Sequence, residues 1–91
     1  MPASSREELR VPWGPGLDGF PVGIAVVLET ADEPAEDDYH AASWDGEDAV
    51  LLIGQGSDVE LVAGEYVVWT RLEAASQRPV RRSGTLTVGT P

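Results

Sequence analysis

The side chains able to do acid–base, nucleophilic or metal chemistry are few. His40 is the only histidine, and the chain has no cysteine and no lysine. Ser43 and Asp45 follow His40 closely, but they are ordinary residues of a polar hairpin and do not suggest a triad. Asp37 and Asp38 offer the paired carboxylates a hydrolase uses, yet no flanking apolar pocket would raise one pKa selectively, so loop solvation is their expected role. Asp45, Glu47 and Asp48 around Gly46, together with the acids of residues 32–38, supply hard oxygen ligands for calcium, without the D-x-D-x-D-G order of a calcium loop. Gly54 and Gly56 resemble half of a phosphate-binding loop whose third glycine, lysine and following helix are missing, which leaves a turn. The expectation is a non-enzymatic protein with no catalytic residues, no cofactor and no metal site.

Binding chemistry is better represented. Trp69 stands between Val67 and Arg71, an apolar and cationic stripe of the composition enriched at interface hot spots. The alternative is that residues 9–13 of the same chain lie over Trp69. Arg81 and Arg82 are adjacent and must point to opposite faces of a strand, so at least one meets solvent or a partner's carboxylates. Trp13 and Trp44 fit either a core or a surface, and Trp44 beside the Asp45–Gly46 turn is placed to rim a sugar site. Val67, Trp69, Arg71, Arg81, Arg82 and Trp13 are the candidate partner-binding residues.

Ninety-one residues suffice for one domain, and a chain of this size buries only roughly 60 to 65% of its unfolded surface. With no disulfide framework available, a partner would usefully complete so small a core. The formal charge of −10 argues against nucleic acid as a partner, because neutralising phosphates needs a basic face. No stretch approaches the roughly 18 to 20 apolar residues of a membrane span, and residues 1–12 lack the apolar region of a secretory signal. The charge is unevenly distributed: residues 29–65 hold twelve acids and no arginine, whereas residues 66–91 hold Arg71, Arg78, Arg81 and Arg82 against Glu73 alone. If the two regions lie on different faces, copies can dock head to tail; otherwise the acids simply solubilise loops.

These residues must be positioned by strands. Ten glycines and seven prolines are spread along the chain, and no 3.6-residue apolar period survives three turns. Residues 9–13 read as an edge strand or arm that stops at Gly14, Pro15 and Gly16. In residues 20–30, Val22, Ile24, Val26 and Leu28 share a face while Gly23, Ala25 and Val27 on the other are small or apolar, as in a strand covered on both sides. Residues 32–38 form an acidic loop. Strands are expected at 39–44 and 49–53 around the Asp45–Gly46 turn, then at 59–62, 65–72 and 80–88. About seven short antiparallel strands with turns every 8 to 12 residues predict an all-β, immunoglobulin-like β-sandwich over residues 20–91, preceded by an extended N-terminal arm and first edge strand over residues 1–19. Leu61, Gly64 and Tyr66 have the L-x-x-G-x-Y spacing of a tyrosine corner, in which the phenol folds back to a backbone group; that register turns Tyr66, Val68 and Thr70 inward and Val67, Trp69 and Arg71 outward.

The closing segment carries a resemblance. Gly64, Tyr66, Val68, Trp69 and Arg71, then Pro79, Val80, Arg81, Gly84, Thr85, Leu86, Thr87 and Val88, form the pattern G-x-Y-x-V-W-x-R, a short turn, then P-V-R-x-x-G-T-L-T-V. This resembles small virion-associated proteins of tailed bacteriophages and prophages of high-GC Gram-positive bacteria. The match spans roughly the last 30 residues and departs from the family at residues 73–77, where an Asn-Pro turn is common. The resemblance implies a virion structural protein, a capsid decoration or a head-to-tail (neck) accessory, assembled in the host cytoplasm and held by other virion proteins in an oligomer or lattice. Two rival classes remain: a carbohydrate-binding or adhesive sandwich using Trp44 and loop acids, with or without calcium, and an enzyme dependent on His40.

Overall fold

The computed structural model describes residues 1–30, 32–74 and 76–90. Six strands follow one another: β1 (Arg6–Pro12), β2 (Val22–Leu28), β3 (His40–Asp45), β4 (Asp48–Gly54), β5 (Gly64–Leu72) and β6 (Val80–Val88), with one short 3-10 turn, Glu36–Asp38, before β3. All strand pairs are antiparallel, and the sheet order is β1-β4-β3-β2-β5-β6. The all-β expectation holds. The seven-stranded immunoglobulin-like sandwich is not confirmed: the described residues form one curled sheet, a half-barrel, with no strand at 59–62. There Val59 is buried and its carbonyl accepts from the Gly54 N–H at 2.8 Å, so the segment closes a turn instead of joining a ladder.

The curl follows from which residues share a face. Ladder register places Val22, Ile24 and Val26 of β2 beside Val68, Thr70 and Leu72 of β5, Ala42 and Trp44 of β3, Ala49 and Leu51 of β4, and Leu9 and Val11 of β1. These pack as one core with Trp13 and Leu86, which only a concave sheet can gather. The two outer strands approach at both ends of the curl. At one end Ala3 N–H donates to the Gly89 carbonyl (2.9 Å) and Gly89 N–H to that of Met1 (2.8 Å); at the other the Arg81 guanidinium lies 4.0 Å from the Trp13 ring centroid. Residues 6–12, within the segment expected to hold an arm and a first edge strand, form an edge strand of the sheet.

β3 serves two masters. Its first half, His40 to Ala42, pairs with β2, and its second half, Ser43 to Asp45, pairs with β4. It is the corner at which the sheet turns, as strands that switch between sheets do in barrels and orthogonal sandwiches. Asp45 and Asp48 close the β3–β4 hairpin on Gly46 and Glu47. Gly46 has φ +62° and, among the described residues, no non-glycine residue has positive φ, the pattern of a II′ turn with glycine at its first central position.

The convex face is also covered over β2, as the small residues there require. Ala25 is fully buried, and Val67 of β5, which pairs with Val27, is 4% exposed. The connection from β2 to β3 returns across this face: its 3-10 turn packs on β2, and Tyr39 lies where a Cβ on Gly23 would be 3.4 Å from its own. The tyrosine corner forms as its spacing predicts, the Tyr66 hydroxyl donating to the Val62 carbonyl at 2.8 Å.

Candidate protein-docking site

β5 and β6 carry most of the candidate residues, and one irregularity between them decides which way those residues face. Val68 pairs with Gly84 but Trp69 pairs with Arg82, so Ser83 is an extra residue, a β-bulge. Below the bulge, alternation along β6 shifts by one. Ser83 turns to the concave side, where its hydroxyl meets that of the fully buried Thr70 at 2.8 Å. Arg81 also turns inward, over Trp13, and Arg82 turns outward beside Trp69. The arginine pair does point to opposite faces, and the bulge selects the outer member.

The six candidate residues therefore fall into different environments. Trp69 is half-buried on the convex face and Arg82 is exposed next to it. Among the described residues Arg82 has no ion-pair partner. Val67 shares that face but is only 4% exposed. Arg71 shares it too, yet its side chain is only 14% exposed, 3.5 Å from Glu73 Oε1 and stacked 4.4 Å from the centre of the Tyr39 ring. Trp13 belongs to the core: it is 9% exposed, and its indole N–H is buried without a hydrogen-bond partner. Residues 9–13 do not lie over Trp69, because they pair with β4 and direct their apolar side chains to the concave face.

Charges far apart in sequence meet in space. Arg78 lies 3.6 Å from Glu36 of the acidic connection and 3.6 Å from Glu73. Arg71 and Arg78, half of the arginines of the basic C-terminal region, are thus engaged within the fold. Burial pushes the Tyr39 phenol above its ordinary pKa, opposed by Arg71 and aided by Glu33 and Asp38. The Tyr39 hydroxyl and Arg71 Nε are both buried without partners.

A second cluster escaped the sequence reading. Arg10 on β1 reaches Glu8 and Asp45 at 2.7 Å and Asp48 at 3.0 Å, and these partners raise its already high pKa. Two of the carboxylates suggested for calcium are therefore occupied in fastening the hairpin to β1. Among the described residues no group of three or more His, Asp or Glu side chains is placed to hold a metal ion. The signal available was the alternation of charge in residues 6–10 opposite an acidic hairpin, but only the strand pairing identifies its partner.

The other chemistry-bearing residues are dispersed. Ladder parity puts His40 on the concave side of β3 and Ser43 and Asp45 on the convex side. Trp44, the residue placed to rim a sugar site, is partly buried against the core, and its indole N–H donates to the Phe20 carbonyl at 2.7 Å. No helix among the described residues is long and apolar enough to cross a membrane. Comparison with family models, with curated proteins and with solved structures finds no match to the chain. What β5 and β6 present on the convex face is a tryptophan and an arginine without an ion-pair partner among the described residues, side by side on paired strands.

Proposed function

We propose that this chain is a non-enzymatic structural protein of a tailed-phage virion, a capsid decoration or head-to-tail accessory that acts by binding neighbouring virion proteins. The observation that carries the docking role is the Trp69–Arg82 pair, an amphipathic ring and a free guanidinium of the kind that dominates interface energetics. The virion context rests on the resemblance of β5 and β6 to small virion-associated proteins. The tyrosine corner at Tyr66 and the corner strand β3 support kinship with the immunoglobulin-like sandwiches that virions reuse, as an analogy of fold. Assembly takes place in the host cytoplasm and ends in the particle, with no role for nucleic acid, membrane or cofactor.

Quantitative mass spectrometry of purified particles tests the context. A ratio near one copy per capsid subunit, or a fixed lattice fraction, identifies a decoration, and a ratio matching a single ring identifies a neck component. Absence from particles overturns the proposal. Trp69→Ala tests the face: it should weaken association by about 2 kcal/mol or more while the isolated protein still folds. Unfolding of that variant would make Trp69 a core residue and refute the assignment.

A further inference from the structure

The two outer strands of the sheet are guarded against pairing with other chains. β1 carries Arg6, Glu7, Glu8, Arg10 and Pro12, and β6 carries Arg81, Arg82 and a bulge, the devices that blunt exposed strand edges. A third edge lies inside the sheet and has no such guard. The β3–β4 ladder stops at Ser43 and Val50, although both strands continue.

Backbone parity identifies the groups left open. Gln55 N–H donates to the Ser5 carbonyl and Trp13 N–H to that of Glu47, so positions 47 and 55 direct their backbone toward β1; Gly54 N–H donates away from β1, to Val59. Leu52, in the same phase as Gly54, therefore directs its N–H and C=O toward β3. Ala41, in phase with Ser43 and Asp45, directs its own toward β4. Continuation of the ladder would pair Ala41 with Leu52, and that rung is not made. Between them is a cleft of about 390 Å³, lined also by Leu51, Ser57 and Asp58. Leu52 is 49% exposed.

We infer that this open rung is a second docking site, which takes an extended segment of a partner protein by strand addition to Leu52. The segment carries an apolar residue for the cleft, flanked by arginine or lysine. Strand addition answers the unpaired backbone of Leu52 and Ala41, and the apolar residue answers Leu51 and Leu52. The flanking cations answer Asp58 at the cleft and Asp37 and Asp38 in the turn that leads into β3; the basic groups facing them are His40, which lines the cleft, and Arg6, whose guanidinium lies beside Gly56 at its rim. The site is separate from the Trp69–Arg82 face, so each can fail without the other.

The test is a titration of the isotope-labelled full chain with Arg-Thr-Val-Thr-Arg, acetylated and amidated at its ends. Amide shifts should centre on Leu52 and Ala41, and hydrogen exchange of those two amides should slow about tenfold or more at saturation. Replacing both arginines by glutamate, or N-methylating the central valine, should each weaken binding about tenfold or more. Asp58→Arg should reduce the preference for the arginine peptide, and Trp69→Ala should leave binding unchanged. The inference is overturned if millimolar peptide leaves Leu52 and Ala41 unaffected, if the N-methylated peptide binds equally well, or if the shifts centre on Trp69 and Arg82.

Discussion

Thr70 is fully buried, and its hydroxyl meets that of Ser83, the bulge residue, at 2.8 Å. The two hydroxyls are not equivalent. Ser83 is half-buried and retains a longer contact, 3.4 Å, to the Arg81 carbonyl, whereas Thr70 depends on Ser83. Ser83→Ala therefore strands a buried hydroxyl and should cost about 2 kcal/mol, while Thr70→Val, which keeps the side-chain shape, should cost about 1 kcal/mol. A 91-residue chain has an unfolding entropy near its midpoint of roughly 190 cal/mol/K, so these are Tm losses of about 10 and 5 °C. In the double variant the stranded hydroxyl is gone and the loss should return to about 1 kcal/mol. Thr70→Val thus destabilises the natural protein and stabilises the Ser83→Ala background. Urea and thermal unfolding followed by circular dichroism, with unchanged m-values, measure the cycle. Equal costs of Thr70→Val in both backgrounds would refute the pairing and with it the inward aim of the bulge.

Tyr66→Phe removes the corner hydrogen bond to Val62 and should lower stability by about 1 kcal/mol, or about 5 °C in Tm, with no change in sheet content by circular dichroism. In that background Tyr39 is the only tyrosine, and its absorbance titration near 295 nm should show a pKa above the ordinary value of about 10. Since the folded value is raised, the neutral phenol stabilises the fold below the unfolded pKa, and that contribution is lost as pH climbs through the folded one; a titration at or below the ordinary value counts against its burial. Arg10→Ala should lower Tm, because Asp45, Asp48 and Glu8 are left to repel one another. The loss should shrink in molar salt, and a salt-independent loss would show that Arg10 acts through packing.

Much of the strand content was legible because it rests on local chemistry. β5 and β6 alternate and are rich in β-branched residues, and the Tyr66 corner is a short-range device contained in six residues. The double coverage of β2 was also legible, since Gly23, Ala25 and Val27 on its second face leave room for a roof. What covers that face was not, because Tyr39 is placed by a connection whose path depends on Arg71 and Arg78. Trp13 was ambiguous for the same reason: a tryptophan after an edge strand is core or surface according to where the sheet curls. Residues 59–62 failed as a strand because Val59 satisfies Gly54, where φ is +102° and a Cβ would collide with the Ser5 carbonyl. The docking stripe shrank to Trp69 and Arg82 because Arg71 found partners within the chain, which local pattern does not reveal.

The extra residue in β6 makes chain length a determinant of specificity. Inserting one residue between Arg82 and Ser83, with Gly84 and the bulge held in place, would leave both arginines in the sequence yet exchange their sides, sending Arg82 to the concave face opposite Thr70 and Arg81 to the convex face opposite Arg71. A sequence comparison scores such an insertion as minor, since every charge is retained. For the surface it is a substitution of one presented cation by another, one rung further from Trp69. Among proteins built on this pattern, the spacing from the basic pair to Gly84 will report the docking geometry better than the identity of the basic residues.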